Sequence, residues 1–360
     1  MHRVANFGSL FQAMSLARLI GEIRPEARVE FIDYRPGAIV GGEPKHGSPK
    51  WRHIGELARD PVDYFRYLSH KALFSRRYHS LLRLPAKANH QTSVDLQIIG
   101  SDEVFNCLQD NVRVGYSRDL FGFDSRARRL ATYAASFGNT TLRRLRDAGI
   151  AGQVGDDLRE IEYLSVRDAN SAEIVEELIG YRPLIHVDPV LAYGISGYER
   201  EIAALESPRS PYLLIYGYPH RLSAAEILEI RDYAAKRKLR VLSIGGVQVD
   251  QDRYIDASPF EALALIRNAA AVVTDTFHGT IFAALQHQRV AVIARGSEGG
   301  AYGNAEKLGY LMEMLGLGHS MAIPSITGQL ESQTMDYAAM DRKLEVARAE
   351  SRDYLTRILA

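Results

Sequence analysis

The 360-residue sequence carries 44 Lys and Arg residues against 44 Asp and Glu residues, so its formal net charge is zero when histidine is neutral. Without a global positive field, general attraction to nucleic acid is excluded, and attraction to a membrane would need a local basic patch. Cys107 is the only cysteine, which excludes an intramolecular disulfide and any multi-cysteine metal site. No run of residues has the apolar length of a signal peptide or a membrane span, and we expect a two-domain cytoplasmic protein.

The N-terminal region begins with a helix signal rather than a strand signal. Asn6–Ser9 predicts a turn into a helix, because the apolar residues that follow recur with helical spacing. Almost nothing precedes this turn, so the first strand is either unusually short or the chain begins late. Val29–Tyr34, with the sequence VEFIDY, predicts the first clear strand.

A basic and aromatic segment follows. Residues 52–90 predict a helical insertion, and residues 66–83 form its most cationic part. Two interpretations of these charges remain open: a solvated helix face, or a patch that meets an anionic acceptor or the surface of a membrane. The second interpretation allows peripheral association with the inner face of a membrane.

From Leu96 onward, strand patterns end in small or polar residues that are followed by a helix or a loop, as in an open parallel sheet. Gly194–Pro211 lacks a strand pattern and is rich in glycine and proline, so we place the domain boundary there. We predict two parallel α/β domains, residues 1–195 and 210–330, that face each other across a cleft. Residues 331–360 predict a helix that can pack back on the N-terminal domain.

The stretch Ala271–Thr280, with the sequence AVVTDTFHGT, predicts a buried strand, a polar turn and the start of a helix. This order places His278 at the carboxyl edge of a sheet, beside helix N-terminal N–H groups that favour a bound anion. His278 is then either an acid or base next to that anion, or a residue that caps the helix or hydrogen-bonds within its turn.

Six short motifs occur in order over most of the sequence. They are Asn6–Gly8 with Gln12, Gly100–Asn106, Tyr133–Gly138, Leu164–Asp168, Asp188–Leu191 and Thr274–Thr280. Together they resemble the polysaccharide pyruvyl transferase family. The resemblance implies two Rossmann-like domains similar to the GT-B glycosyltransferases, the first on the acceptor side and the second on the donor side. It also implies transfer of a pyruvyl group from phosphoenolpyruvate to hydroxyls of a polysaccharide or its lipid-linked precursor, forming a ketal without a cofactor.

The resemblance and the residue types point to three catalytic candidates. His278 would deliver a proton to the methylene carbon of phosphoenolpyruvate. Arg167, for which the resemblance implies ligand binding, has a planar guanidinium that can hold a carboxylate or a phosphate, or can instead pair with Asp168 or another acidic loop residue. Asp102 would either accept the proton of the attacking hydroxyl or cap the next turn.

A wider set of residues suits the binding of the two substrates. Amides and hydroxyls suit a hydroxyl-rich acceptor, glycines let backbone N–H groups approach a phosphate, and cations suit the donor. The set comprises Asn6, Gly8, Gln12, Ser101, Asn106, Gly245, Gly246, Thr276, Gly279, Arg295 and Lys307. Asp275 and His278 have a spacing that could bind a metal, but no third ligand stands out, so we predict no metal site.

One departure from the family pattern leaves alternatives open. Thr276 and Phe277 stand where members with well-understood donor binding carry arginine and leucine, so a cation is missing from the turn before His278. Lys307 or Arg295 would replace it. The alternatives are a GT-B-like glycosyltransferase with a nucleotide-sugar donor, and a catalytically silent member that binds without turnover.

Overall fold

The computed structural model describes residues 2–40, 60–85, 87–206, 208–296, 305–332 and 336–360. Within these ranges the prediction of an α/β protein with parallel sheets flanked by helices is confirmed. Of the predicted insertion at 52–90, residues 52–59 and residue 86 lie outside the described residues.

The first half of the chain forms a small parallel sheet. In chain order its elements are α1 (Phe7–Ile23), α2 (Pro61–Tyr78), β1 (Leu96–Ile99), β2 (Arg129–Thr132), α3 (Leu142–Asp147), α4 (Ala151–Arg159), β3 (Ser165–Val166), α5 (Ala169–Ile179), β4 (Leu184–Ile185), α6 (Pro189–Tyr193) and α7 (Glu199–Ala203). β1 pairs in parallel with β2, and β3 pairs in parallel with β4. Parallel bridges from Ala131 to Tyr163 and from Ala135 to Val166 join the two pairs, so the strand order is β1-β2-β3-β4.

The second half forms a parallel five-stranded sheet in the order β7-β6-β5-β8-β9. In chain order its elements are β5 (Tyr212–Tyr216), α8 (Ala224–Lys236), β6 (Arg240–Ile244), β7 (Arg253–Tyr254), α9 (Pro259–Arg267), β8 (Ala271–Thr274), α10 (Phe277–Leu285), β9 (Val290–Val292), α11 (Ala305–Met314), α12 (Gly318–Met321), α13 (Ile326–Ser332) and α14 (Tyr337–Leu359). The central strands β5 and β8 are buried along their whole length, which is why their sequences are continuous apolar runs.

The prediction of a strand at Val29–Tyr34 is wrong. The segment belongs to no sheet among the described residues, although the backbone of Asp33 is anchored by donation of its N–H to the carbonyl of Asn89 at 2.6 Å. Apolar periodicity reports which face of a segment is buried. A strand needs, in addition, a neighbour whose N–H and C=O groups lie at ladder distance, and no described strand lies beside this segment.

The last helix, α14, returns to the first half of the chain. The Tyr354 hydroxyl donates to the carbonyl of Thr132 at 2.7 Å, and Arg348 Nε donates to the carbonyl of Leu191 at 2.9 Å. The helix therefore packs against β2 and α6. The domain bounds themselves stay predictions.

Helix α1 joins the two halves through aromatic packing. Phe7 and Phe11 are buried, and the Phe11 ring lies edge-on to Phe282 of α10, with 5.3 Å between ring centroids. Tyr216 at the end of β5 stacks on the same Phe282. Each fully buried side chain of this size contributes about 1.5–3 kcal/mol to stability. The shared core therefore holds the amino-terminal turns of α1 and α10 next to each other.

An ion pair also crosses between the halves. Lys307 Nζ of α11 donates to Glu103 Oε1 at 2.8 Å. Burial alone would raise the pKa of Glu103, but the Lys307 ammonium and the Asn106 amide outweigh burial and lower that pKa to about 2. The carboxylate is therefore charged throughout the physiological range, and it favours the folded state.

We expect Glu103→Gln to lower the free energy of unfolding by roughly 1–3 kcal/mol at neutral pH. Because the folded-state pKa lies below the ordinary carboxyl value of 4.5, the wild-type advantage is complete above that pH and disappears as the pH falls toward 2. Urea unfolding of both proteins across this range measures the difference. Glu331→Gln is the control, because it removes only an exposed pair with Arg237 and should change stability by less than about 0.5 kcal/mol. Equal losses for the two variants would contradict the prediction.

Candidate active site

His278 lies in the first turn of α10, immediately beyond the end of β8. Thr276 is the N-cap of this helix, and its side chain accepts the N–H of Gly279 at 3.0 Å. The His278 side chain is only 14% exposed. Gly8 of α1 lies against the imidazole, since a Cβ at Gly8 would sit 2.3 Å from His278 Nδ1. The glycine is therefore required for the close approach of the two helices.

The carboxylate of Asp188 brings the site together. Its Oδ2 atom accepts a hydrogen bond from Gln12 Nε2 at 2.6 Å. The same atom lies 3.5 Å from Arg167 Nη1 and 3.6 Å from His278 Nε2. Its Oδ1 atom accepts the N–H of Val190 at 2.9 Å and caps α6. Four parts of the chain, α1, the end of β3, α6 and the start of α10, therefore meet at one carboxylate.

The charges around Asp188 keep it ionised. Complete burial would raise the pKa of Asp188, but the neighbouring His278 and Arg167 outweigh burial and lower the pKa below its ordinary value. Arg167 is itself buried, and its guanidinium lies over the Phe277 ring, 4.4 Å from the centroid. This contact and the carboxylate fix the direction of the guanidinium fork.

Three buried polar atoms near this carboxylate lack a hydrogen-bond partner among the described residues. They are Gln12 Oε1, Ser101 Oγ and His278 Nε2. Leaving such an atom unsatisfied costs about 1–3 kcal/mol. A polar ligand that offers hydroxyls or an anion would satisfy these three atoms, so the cluster has the chemistry of a binding site as well as that of a structural network.

The loop after β1 places Asp102 close to this cluster. Asp102 Oδ2 accepts a hydrogen bond from Ser9 Oγ at 3.1 Å, and Oδ1 accepts the N–H of Glu103 at 2.8 Å. The capping interpretation of Asp102 therefore applies to only one of its two carboxylate oxygens. Asn106 bonds to Glu103, and its Oδ1 accepts a hydrogen bond from Thr140 at 2.7 Å, so it holds two loops together.

Two other residues of the substrate set also serve as parts of the local fold. Asn6 is the N-cap of α1, and its Oδ1 accepts the N–H of Ser9 at 2.7 Å. Gly279 packs against Thr274, where an added Cβ would lie 2.2 Å from Thr274 Oγ1. These contacts explain the residue types without a ligand, and they position the helix ends beside His278.

A cavity of about 230 Å³ opens beside the cluster, between the two halves. Its lining residues include Arg167 and Phe277, together with Lys307 and Tyr310 of α11. The structure thus brings Lys307 to the same cavity as Arg167. A cavity of this size suits a small molecule better than a nucleotide sugar.

Gly245, Gly246 and Arg295 lie in a different polar cluster. Arg295 Nη2 donates to Glu226 at 2.8 Å, and a Cβ at Gly246 would meet the ring of Pro219 at 2.3 Å. No contact among the described residues therefore supports the prediction that these three residues approach the donor beside His278. The reason is local: Gly245 and Gly246 after β6, and Arg295 after β9, pack against residues 216–221 at and after the end of β5.

The model of the family described as polysaccharide pyruvyl transferase matches residues 6–297, which include every residue of the Asp188 cluster. The chain belongs to the polysaccharide pyruvyl transferase family. Comparison with curated proteins finds no match.

Solved structures with weak similarity include three proteins of trehalose phosphate metabolism. They are the N-terminal domain of Candida albicans trehalose-6-phosphate phosphatase (7% identity, TM-score 0.38) and the α,α-trehalose-phosphate synthases (UDP-forming) of Burkholderia xenovorans with glucose-6-phosphate (12%, 0.40) and Burkholderia vietnamiensis (10%, 0.39). Each similarity covers 86% of this chain and 80% of the other.

Asp188 is the residue of the site that sequence reasoning missed. The sequence contains Asp188 and Pro189 within one of the family motifs, but it predicts no role for the carboxylate. The available signal is an acidic residue that closely follows the short strand Leu184–Ile185, at the edge where side chains of a parallel sheet converge.

The contact between Gly8 and His278 can be tested by stability alone. We expect Gly8→Ala to lower the free energy of unfolding by about 1–3 kcal/mol, because the imidazole must move away from the new methyl group. Gly21→Ala in the same helix is the matched control, since nothing lies within 4 Å of its Cβ, and it should gain about 0.5–1 kcal/mol.

The Gly8→Ala and Gly21→Ala substitutions are then made in a His278→Ala background, and urea unfolding measures their effects on stability there. Removal of the ring should abolish most of the Gly8→Ala penalty and leave the Gly21→Ala gain unchanged. A Gly8→Ala penalty that persists without the imidazole would show that the two residues are not in contact.

Proposed function

We propose that this protein transfers the pyruvyl group of phosphoenolpyruvate to hydroxyls of a sugar in a polysaccharide or its lipid-linked precursor, and forms a ketal. Membership of the family supports transfer of a pyruvyl group to a polysaccharide in general. The observation that carries the finer proposal is the placement of His278 and Arg167, from opposite halves of the chain, 3.6 and 3.5 Å from the same oxygen of Asp188.

The donor proposal is supported by two cationic side chains that line the cavity beside the Asp188 cluster. Phosphoenolpyruvate carries a carboxylate and a phosphate, and the cavity of about 230 Å³ has Arg167 and Lys307 among its lining residues. A guanidinium has five N–H donors, of which the contacts to Ser101 and Asp188 use Nη1, so its geometry is compatible with two-point contact to an anion. Lys307 would then provide the positive charge that is missing from the turn at Thr276.

The proposed reaction has a defined proton balance. A proton is added to the methylene carbon of phosphoenolpyruvate, the oxygens of two sugar hydroxyls bond to the adjacent carbon, and the phosphate leaves. Of the two protons lost by the hydroxyls, one balances the new methyl group and the other leaves on the phosphate. We assign the delivery of this proton to His278. General acid catalysis of this kind raises the reaction rate about 10²–10⁴-fold. Asp188 lies beside the imidazole and orients it, while Asp102 is the candidate acceptor of a hydroxyl proton.

The test is phosphate release from phosphoenolpyruvate that depends on an added sugar, with nitrophenyl glycosides or lipid-linked sugars as acceptors. His278→Ala should abolish turnover while the protein stays folded. Arg167→Ala should weaken donor binding roughly ten- to a hundred-fold, as loss of a charge-assisted hydrogen bond of about 1.5–3 kcal/mol requires. The matched control is Arg182→Ala, an exposed arginine paired with Glu176, which should change neither quantity.

Three results would contradict this function. Normal binding of phosphoenolpyruvate by Arg167→Ala would remove the guanidinium from the donor site. Release of a nucleoside diphosphate from a nucleotide sugar, with no reaction of phosphoenolpyruvate, would identify a glycosyltransferase. Unchanged ligand binding in His278→Ala, together with no turnover in the wild type, would indicate a silent binding protein.

We further propose that the protein works at the inner face of a membrane, where a lipid-linked acceptor is presented. No helix in the described ranges is both long and apolar enough to span a bilayer. Helix α2 is anchored on the second half of the chain by the contact of His70 with Asp256 at 2.6 Å, and its opposite face exposes Val62, Phe65 and Leu68. The same helix exposes three cationic side chains: Arg66, which pairs with Asp63, Lys71 and Arg76. Apolar side chains beside lysine and arginine suit an anionic lipid surface.

Co-sedimentation with vesicles tests the membrane proposal. Wild type should bind phosphatidylglycerol vesicles more strongly than phosphatidylcholine vesicles, and Phe65→Ser and Arg76→Glu should each weaken binding at least about fivefold. Val112→Ser, at an exposed apolar residue away from α2, is the control and should bind as wild type does. Binding that ignores lipid charge and both α2 substitutions would exclude this surface.

A further inference from the structure

The cavity beside the Asp188 cluster has a second histidine in its wall. His186 lies directly after β4, and it lines the cavity together with Arg167, Asp188 and Lys307. Its side chain is buried, and the proposed reaction gives it no role. A buried imidazole in the wall of a cavity that also contains two cations therefore requires an explanation of its own.

Aromatic packing and one hydrogen bond hold the imidazole of His186. Its ring centroid lies 4.6 Å from that of Tyr354 and 5.9 Å from that of Tyr133. Its Nδ1 atom lies 2.7 Å from Ser165 Oγ of β3. The backbone N–H of His186 donates to the carbonyl of Val166, also in β3, at 2.9 Å. The ring and the backbone are thus fixed on the same strand.

The hydrogen bonds of Ser165 determine which nitrogen of His186 carries the proton. Ser165 Oγ is buried and accepts the backbone N–H of Ala134 at 3.1 Å. For the hydroxyl hydrogen of Ser165, His186 Nδ1 is the one acceptor among the described residues. A proton on Nδ1 would leave this buried hydroxyl without an acceptor, which would cost stability. The hydroxyl therefore donates to Nδ1, and the neutral ring carries its proton on Nε2.

The ring is neutral, and its N–H is available for a ligand. Burial and the nearby Arg357 lower the pKa of His186 to about 4, so the imidazole is uncharged at neutral pH. Its Nε2 atom has no hydrogen-bond partner in the described ranges, and it is not one of the enclosed unpaired atoms such as Gln12 Oε1. Because the residue lines the cavity, Nε2–H is the donor that the ring offers there.

We propose that His186 binds an anionic oxygen of the donor through its Nε2–H group, beside Arg167 in the same cavity. The inference rests on the proposed function, because phosphoenolpyruvate is the anion that the cavity would hold. A neutral N–H adds a directed hydrogen bond to the charge of Arg167 and Lys307. A neutral imidazole also holds its N–H proton much more tightly than an imidazolium does. His186 therefore orients the ligand and leaves proton delivery to His278.

Nitrogen-15 labelling of the histidines tests the protonation state in the full chain. Proton–nitrogen correlation spectra distinguish the Nε2–H form, the Nδ1–H form and the imidazolium, and the signal missing from His186→Asn identifies His186. We expect the Nε2–H form alone at neutral pH, with an Nε2 signal that shifts when phosphoenolpyruvate is added. Inorganic phosphate and pyruvate, added separately, show which anionic group the N–H contacts.

Two substitutions at the same position separate binding from packing. His186→Gln keeps an amide N–H near the place of Nε2, whereas His186→Asn keeps an amide only near Nδ1 and Ser165. In calorimetric titration, His186→Asn should weaken phosphoenolpyruvate binding roughly ten- to a hundred-fold, as loss of a hydrogen bond to a charged group does. His186→Gln should recover most of that loss. His287→Asn, at an exposed histidine paired with Asp341, is the control and should bind as wild type does.

Three outcomes would overturn the proposal. The first is an Nδ1–H or imidazolium form of His186 at neutral pH. The second is an Nε2 signal that none of the three anions shifts. The third is normal binding by His186→Asn, or equal losses in His186→Asn and His186→Gln, which would indicate a packing role. All of these readouts report binding. A wild type that binds phosphoenolpyruvate through His186 but releases no sugar-dependent phosphate would contradict the proposed function and support this inference.

Discussion

Burial of the Asp188 carboxylate is the constraint on which the arrangement of the site depends. A carboxylate taken out of water without partners would cost several kcal/mol, so the fold must bring compensating groups to it. Gln12, Arg167 and His278 supply them from three separate elements. Loss of register in any of these elements leaves a buried charge uncompensated. The same carboxylate therefore holds the halves in place and arranges the groups that the proposed reaction uses.

Helix α1 links that polar cluster to the apolar core. Its Phe11 packs on Phe282 of α10, while Gln12, the next residue along, bonds to Asp188. Gly8, about one turn earlier, lets the imidazole of His278 approach the helix backbone. Polar and apolar contacts thus act on the same turns of α1, so the distance between the halves and the position of His278 are set together.

Local patterns predicted much of the fold, and the convergence of distant residues was not predictable. The places of His278 and Arg167 follow from short sequence patterns, because a strand followed by a turn and a helix identifies the carboxyl edge of a sheet. The role of Asp188 depends on residues 12, 167 and 278, and a single sequence contains no distances between such positions. The strand prediction for Val29–Tyr34 is wrong for a related reason: its residue types favour extended backbone, while the neighbour needed for a ladder is a property of the tertiary structure. Lys307 and Arg295 were equivalent cations in the sequence, and they differ only in where α11 and the loop after β9 place them.

The departure from the family pattern at Thr276 and Phe277 has a physical explanation in these contacts. Thr276 caps α10 through its hydroxyl, which an arginine at this position cannot do, and Phe277 supports the Arg167 guanidinium at 4.4 Å. The turn therefore contributes to helix capping and to the orientation of a cation, rather than contributing a cation of its own. Positive charge on the cavity comes instead from Lys307, whose ammonium is held by Glu103. An ammonium binds an anion as a point charge, without the two-point geometry of a guanidinium. If the donor is phosphoenolpyruvate, Arg167 alone of these two cations orients the ligand, and Lys307 contributes only positive charge.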